Sequence, residues 1–329
     1  MTLGAAAMAL CVLLLPLASS LSLAAPPSCA REASVEALVA CLAARMPRAG
    51  AGYVPPDAQA RAEWRVLVAS MLRGACADAA LGPALSGVYR VVPFRAAGEE
   101  HCVALEADGS RRGWGTLVVR AGWTRDLSVQ VVHPIADVGT EHQGAALYAA
   151  TGARSLVLAG AHRAATSEPC ECQGAPASDA AHASAHFVQV AVEEMDRLDR
   201  LARGALLALQ LHGMAADSCD AVDAYLTDGT SRPPAEDGAV RRLQRALLDV
   251  RPAWSVVAPG DGPRCHLHGS TNVQGRLLNG VPAQEVCARP AESATGRFVH
   301  VEQDPAMREA AAWAAAVRAA VPASSRHAG

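Results

Sequence analysis

Short apolar segments alternate with stretches of helical periodicity from Leu127 to near the end of the chain, and this alternation constrains the fold more than any other feature. Apolar runs that predict strands cover 127–132, 155–159, 205–211, 254–258 and 297–302, and helical patterns cover 140–151, 179–203, 236–250 and the region after Asp304. Alternating strands and helices are typical of a sheet covered by helices on both faces. The sequence therefore predicts an α/β fold, with Asp179 as the cap of its long helix.

The first part of the chain has a different pattern. Residues 30–50 and 57–80 carry apolar residues at helical spacing, and three short β runs follow at 88–92, 102–105 and 116–119, separated by glycine-rich turns. We predict N-terminal helices and a β meander over 25–125, packed on or joined to the main sheet. An α/β core follows over 126–322, with a tail over 323–329.

An apolar segment at the N-terminus predicts export. It runs from Gly4 to Ala24 and ends in small residues, which is typical of a secretory signal peptide over 1–24. An uncleaved N-terminal anchor is the alternative, because the segment is about as long as a membrane span of ~20 residues. Either interpretation places the rest of the chain outside the cytoplasm, and we predict a secreted or periplasmic protein.

The cysteines agree with export. Ten are present, and Cys11 lies in the leader, so nine remain in the exported part. In an oxidising compartment most of them should pair, and one must stay free. Local spacing suggests pairs such as Cys29–Cys41, Cys76–Cys102 and Cys265–Cys287, but the sequence leaves the connectivity open.

The basic residues exclude several kinds of chemistry. All 29 Lys+Arg positions are arginine, so a mechanism that needs a lysine amine, such as a Schiff base, is excluded. The net charge of −3 gives no reason to expect nucleic acid as a partner, or a membrane beyond the N-terminal anchor. The chain has no G-x-S-x-G motif of a serine hydrolase and no G-x-G-x-x-G motif of a dinucleotide site.

Polar residues stand where predicted strands end. His133 follows one strand, His212 follows another, and Glu302 ends a third, while Asp137 stands four residues after His133. Ligands of open α/β sheets bind at this edge, and two histidines with one carboxylate are a common zinc set that leaves a position for water. The carboxylate could instead be Glu141, and the histidines could simply be hydrogen-bonded residues of their loops.

The order His-x3-Asp-x-Gly-Thr, Leu-His-Gly and a late-strand Glu resembles the zinc carboxypeptidase-like superfamily, nearest to poly-γ-glutamate hydrolases and N-formylglutamate amidohydrolases. The resemblance covers roughly residues 127–310, and the carboxypeptidase spacing His-x2-Glu is absent. It implies a three-layer αβα fold with a mixed central sheet, of the phosphorylase/hydrolase-like type. It also implies Zn²⁺ held by His133, Asp137 and His212, with Glu302 as general base.

Other polar residues are candidates for contact with substrate. Arg163 follows a predicted strand and could stabilise an oxyanion or bind a substrate carboxylate. Arg276, Asp179 and His182 are weaker candidates for substrate binding. His182 and His186 have the i, i+4 spacing of one helix face, so a role as metal ligands is the alternative for that pair.

These features together predict an exported zinc-dependent hydrolase that cleaves an amide or peptide bond near a carboxylate. Its partner would be a small molecule or peptide that bears a carboxylate. The alternative from another class is a catalytically inactive, disulfide-braced binding protein of the same fold. An esterase that uses the same site is a third interpretation.

Overall fold

A computed structural model describes residues 28–76, 79–172, 174–262 and 265–324. The predicted leader and most of the predicted tail lie outside these residues. The strands are β1 Tyr89–Ala96, β2 Glu99–Glu106, β3 Thr116–Arg120, β4 Arg125–Val131, β5 Ala153–Leu158, β6 Leu207–Leu211, β7 Ala224–Thr227, β8 Val256–Val257 and β9 Phe298–Gln303. The α-helices are α1 Val35–Ala43, α2 Ala58–Leu72, α3 Thr140–Thr151, α4 Phe187–Ala202, α5 Ala239–Val250, α6 Val273–Leu278 and α7 Ala310–Ala320.

The nine described strands form one mixed sheet in the order β1-β2-β3-β5-β4-β6-β9-β7-β8. Strands β5, β4, β6 and β9 are parallel neighbours at its centre. The meander β1–β2–β3 is antiparallel and extends the same sheet through the β3–β5 pair, and β7 runs antiparallel to β9. The predicted α/β fold with a mixed central sheet is therefore confirmed.

Helices cover both faces of the sheet and make it the middle of three layers. On one face, α1, α3, α5 and α7 pack on side chains such as Val131 and Leu211, and Trp313 of α7 is fully buried among them. On the other face lie α2 and α4, which pack around Trp64 and Phe187, together with α6. Strand β6 is buried along its whole length because it is covered from both sides.

The segment before α4 corrects one prediction. The helix expected from Asp179 begins only at Phe187, with His186 as the N-cap whose Nδ1 accepts from the Val188 amide at 3.1 Å. Residues 179–186 are rich in alanine and suggest a helix, yet they form turns. The Asp179 carboxylate bonds to residues far away in sequence instead of capping a helix. His182 and His186 consequently do not share a helix face.

Three further elements differ from prediction. Strand β7 and helix α6 lie where no element was predicted, since both are too short to show a periodicity. The terminal helix does not open at Asp304. That residue caps a single 3₁₀ turn over Pro305–Met307, and α7 starts at Ala310.

Four disulfide bonds brace the described chain. Cys29–Cys41 and Cys76–Cys102 form as predicted. The third pair that local spacing suggests, Cys265–Cys287, does not form. Cys265 pairs with Cys219, whose backbone it also meets in a β-bridge, and Cys287 pairs with Cys172 across 115 residues. Cys170 is the free thiol among the described cysteines.

The pairing Cys172–Cys287 ties the loop before α4 to the segment that follows α6, a long-range contact that local spacing could not reveal. Disulfide bonds are typical of oxidising compartments. Within 28–324, apart from the short gaps, no helix has the length and apolar character needed to cross a membrane.

Candidate metal centre

The central parallel strands bring a row of polar side chains to one edge of the sheet. Gln130 of β4 pairs with Gln210 of β6, and Gln210 pairs with His300 of β9. Because these strands run in the same direction, the residues just beyond the row also meet. His133 and His212 follow their strands at this edge, as predicted from their positions in the sequence.

Three predicted ligands converge here. The Nδ1 atoms of His133 and His212 lie 3.2 Å apart, the His133 Nδ1 lies 3.2 Å from Asp137 Oδ2, and the His212 Nδ1 lies 3.7 Å from the same oxygen. Around a tetrahedral zinc ion with bonds of about 2.0–2.1 Å, neighbouring ligand atoms are roughly 3.3 Å apart. The three atoms therefore have nearly the separations of one face of a zinc tetrahedron.

His133 turns its Nδ1 towards the cluster and its Nε2 towards Asp179. Its Nε2 faces Asp179 Oδ1 at 2.8 Å, and a carboxylate oxygen accepts, so the ring proton lies on Nε2. The Nδ1 atom has a donor and an acceptor close by, an Arg163 guanidinium nitrogen at 3.3 Å and Asp137 Oδ2 at 3.2 Å. Carboxylates that fix a ligand histidine in this way are a regular feature of metal sites.

His212 has the same arrangement with a different partner. Its Nε2 lies 2.8 Å from Oε1 of Gln210, and its Nδ1 faces the centre. The Nδ1 atoms of the two imidazoles and the Asp137 carboxylate thus point at one another in a buried site. When both Nδ1 atoms are unprotonated, as metal ligands are, such a set is repulsive unless a cation lies between its members, so these residues fit a metal ion.

Asp179 is the most connected acid at the site. One of its oxygens lies near His133 and His182, and the other accepts from Arg163 at 2.6 Å. Burial alone would raise the pKa of Asp179, but the hydrogen bonds from His133 and His182 outweigh burial and hold the pKa well below its usual range. Asp179 is therefore ionised and buried, and it contacts a predicted ligand.

Replacing Asp179 by Asn should weaken zinc binding by about tenfold to a hundredfold, the usual effect of losing a partner of a ligand histidine. The amide keeps the shape, but it loses the charge that pairs with Arg163. Zinc affinity can be measured by competition with a chromogenic chelator. The matched control is Asp261→Asn, which breaks an ion pair with Arg241 in another part of the chain. Equal affinities for the Asp179 variant and wild type would contradict this role.

Glu302 lies at the same edge, with its side chain beside His300. The Glu302 Oε1 and His300 Nε2 atoms are 3.6 Å apart, and these two residues form a second cluster with His212 in which the ligand atoms lie within 4.8 Å of one another. Burial, reinforced by the charge of Asp137, raises the pKa of Glu302 to about 8. Burial lowers the pKa of His300 to about 3, so His300 is neutral.

The loop that carries Asp137 has an unusual backbone. Ile135 has a φ of 57°, a left-handed conformation that is strained for a β-branched residue. Its amide donates to Glu141 Oε2 at 3.3 Å. Glu141 thus supports the loop that presents Asp137 and lies in none of the metal-compatible clusters among the described residues.

The remaining predicted contact residues fall in different places. Arg163 stands at the rim with 41% of its side chain exposed. His182 bridges Asp179 and Thr271. Arg276 is buried away from the cluster, where its guanidinium donates to the backbone carbonyls of three residues, Ser270, Val286 and Cys287.

Sequence reasoning missed three residues of this site. His300 lies two positions before Glu302, so strand alternation alone would have put both side chains on one face. Gln210 has the same relation to His212. Arg308 lies beyond the last strand and packs against Gly213, where an added Cβ would meet its guanidinium at 2.0 Å.

A cavity of about 840 Å³ lies elsewhere. It surrounds the disulfide Cys76–Cys102 and includes Arg120, Trp123 and Asp126, near the start of β4. That is the opposite end of the strand from His133. Buried ligand-type residues, and not cavity size, mark the candidate site.

Comparisons with known proteins give matches to solved structures only. No protein-family model matches the chain, and no curated protein matches it. A candidate carboxypeptidase A from Shewanella denitrificans OS-217 is 11% identical, with a TM-score of 0.34 over 70% of this chain and 77% of that chain. A candidate metallopeptidase from Shewanella amazonensis SB2B is 12% identical, with a TM-score of 0.29 over 80% and 92%.

A third match is the gene product Atu2144 from Agrobacterium tumefaciens, at 13% identity and a TM-score of 0.32 over 58% of this chain and 84% of that chain. At this level of similarity, only the residues of this chain can support a function for the cluster. Those residues provide two histidine nitrogens and one carboxylate oxygen, arranged for a single metal ion.

Proposed function

We propose that this protein is an exported zinc-dependent hydrolase that cleaves an amide or peptide bond near a carboxylate. The observation that carries the proposal is the convergence of His133 Nδ1, His212 Nδ1 and Asp137 Oδ2 at 3.2–3.7 Å, with both rings held so that their Nδ1 atoms face inward.

The kind of donor atoms favours zinc over other common ions. Calcium and magnesium prefer all-oxygen sites, whereas two imidazoles with one carboxylate suit zinc and leave a fourth position open. A bound zinc ion would supply Lewis-acid activation of a water molecule and of the substrate carbonyl.

Glu302 is the proton carrier in this proposal. It is buried within reach of the cluster, and the chain offers no serine nucleophile in a G-x-S-x-G motif. A carboxylate at this position would take the proton of the attacking water and pass it to the leaving nitrogen. A pKa of about 8 before metal binding means that Glu302 holds a proton readily.

Arg163 is the proposed contact for a substrate anion. Its guanidinium is anchored to Asp179 through one nitrogen, while 41% of the side chain is exposed at the rim of the site. Guanidinium groups bind carboxylates and developing oxyanions through two hydrogen bonds. This geometry supports a scissile bond close to a substrate carboxylate.

Export is supported by two features. The described residues form four disulfide bonds, and residues 4–24 make up an apolar segment that ends in small residues. The proposed location is secreted or periplasmic.

The experiment is a hydrolysis assay on N-acyl amino acids and dipeptides with a free carboxylate, each paired with its amidated analogue. We expect turnover of the free acids that is lost after chelation and restored by about one equivalent of zinc. Ester analogues of the same acids test the esterase alternative. Turnover that persists without any metal would contradict the proposal, and zinc binding without turnover of any substrate would favour the binding-protein alternative.

A further inference from the structure

The two histidine ligands differ in what orients their rings. The Nε2 of His133 faces Asp179, and a carboxylate can only accept. The Nε2 of His212 faces the side-chain amide of Gln210, and an amide can present either its oxygen or its NH₂ group. Only the oxygen leaves the His212 Nδ1 free for a metal ion. The orientation of this one amide therefore decides whether His212 can be a ligand.

A first set of contacts fixes that orientation from the side of α4. The Nε2 of Gln274 donates to the Ala180 carbonyl at 2.9 Å and to Gln189 Oε1 at 3.1 Å, and Gln189 in turn donates to Glu193 at 3.2 Å. Carbonyl and carboxylate oxygens only accept, so both glutamines have a single favourable orientation. The oxygen of Gln274 must then face Gln210, which donates to it at 3.3 Å.

A second set acts through the N-cap of α6 and uses different hydrogen bonds from the first. Asn272 is the N-cap of α6, and its Oδ1 accepts from the Gly275 amide at 2.9 Å. A backbone amide only donates, so the NH₂ group of Asn272 must point the other way. It donates to Gln210 Oε1, the same oxygen that accepts from His212. Both sets therefore require the Gln210 oxygen to face His212.

Burial makes these constraints effective. Gln189, Gln210 and Gln274 are 0% exposed and Asn272 is 2% exposed. No bulk water reaches these amides to satisfy a reversed group, and each reversal would leave buried donors facing donors or acceptors facing acceptors.

We infer that Gln189, Gln274, Gln210 and Asn272 form an amide relay that positions His212 for metal binding. The relay holds the ring proton on Nε2 and presents the lone pair of Nδ1 to the centre. Its members are positioning residues, since they act through His212. The role of the relay in metal binding rests on the proposed metal centre. The position of the proton on the His212 ring does not depend on a metal ion.

The first test therefore needs no metal. ¹⁵N NMR of metal-free wild-type protein labelled at histidine, with His212 assigned by a His212→Gln variant, reports which ring nitrogen of His212 carries the proton. We expect a protonated Nε2 and an unprotonated Nδ1. A protonated Nδ1 would overturn the inference whether or not the protein binds zinc.

The second test separates orientation from packing. Gln210→Glu keeps an acceptor for His212, and Gln210→Met keeps similar volume but removes it. The relay predicts that zinc affinity, measured by chelator competition, stays within threefold of wild type or rises in the Glu variant and falls tenfold to a hundredfold in the Met variant. A purely structural role predicts the opposite order, because it favours an apolar side chain over a buried charge.

A third variant changes a hydrogen bond to Gln210 without altering Gln210 itself. Asn272→Asp keeps an N-cap oxygen for α6 but turns an oxygen towards the Gln210 oxygen. We expect zinc affinity to fall about tenfold. An added negative charge alone would attract a cation and raise affinity, so a rise or no change would overturn the relay. Asn279→Asp, at the other end of α6, is the matched control and should stay within threefold of wild type.

Discussion

Replacing Glu302 by Gln should lower kcat by a factor of about 10²–10⁴, the range for loss of a general acid–base group, with little change in bound zinc. The amide fills the same buried space but cannot take a proton from water. Steady-state kinetics on the best carboxylate-bearing substrate, with zinc content measured on the same sample, checks this result.

The matched control is Glu309→Gln, which removes an exposed carboxylate that pairs with Arg251. It should leave kcat within about twofold of wild type, as expected for a surface group away from the site. If the Glu302→Gln enzyme retains zinc and at least a third of the wild-type kcat, Glu302 is not the general base.

The same variant has a consequence for stability. The pKa of Glu302 is about 8 in the folded metal-free protein, against an ordinary value of 4.5. Because the folded pKa is raised, its contribution to stability is full below about pH 4.5 and is lost as pH rises through 8. Between pH 5 and 8.5, the free energy of unfolding of metal-free wild type should fall by on the order of a few kcal/mol relative to that of Glu302→Gln. Urea unfolding of both proteins measures this difference, and parallel pH profiles would contradict it.

The second large effect concerns the disulfide bond Cys172–Cys287. It closes a loop of 115 residues, so its removal by a double Cys→Ala substitution should lower the free energy of unfolding by about 5 kcal/mol. The bond joins the loop before α4 to the segment after α6, and these elements carry the amide relay. We therefore expect weaker zinc binding together with the loss of stability.

Two controls calibrate this prediction. Cys76–Cys102 spans 26 residues, so its removal should lower the free energy of unfolding by a smaller amount, about 3.5 kcal/mol. It should leave zinc affinity unchanged because this bond lies far from the cluster. Cys170→Ala removes the free thiol and should cost little. Denaturant unfolding under oxidising conditions ranks the three variants. A zinc affinity that falls equally in both disulfide variants would contradict the link to α6.

Much of the fold could be predicted because its elements have strong local patterns. Strands β4 to β6 are short segments rich in Leu and Val, and α3 has the predicted bounds 140–151. The strand ends placed His133 and His212 at one edge for a general reason, since parallel strands end together. That reasoning needs no knowledge of side-chain contacts.

The rest depended on contacts between distant segments. Residues 179–186 look helical in isolation, but Asp179 pairs with His133 and Arg163 instead of capping a helix. The partners of Cys265 and Cys287 lie 46 and 115 residues away, so local spacing suggested the wrong pair. The role of Gln210 became visible only with its buried amide neighbours in place.

The measurement that tests the metal centre most directly is elemental analysis of purified protein, on wild type, His133→Ala and His212→Ala. We predict about one zinc per chain in wild type and none in either variant, because each substitution leaves two of the three ligands. His266→Ala, a histidine outside the cluster, should keep its zinc. Wild-type protein that carries no zinc and takes up none on addition, or variants that retain it in full, would contradict the proposed metal centre.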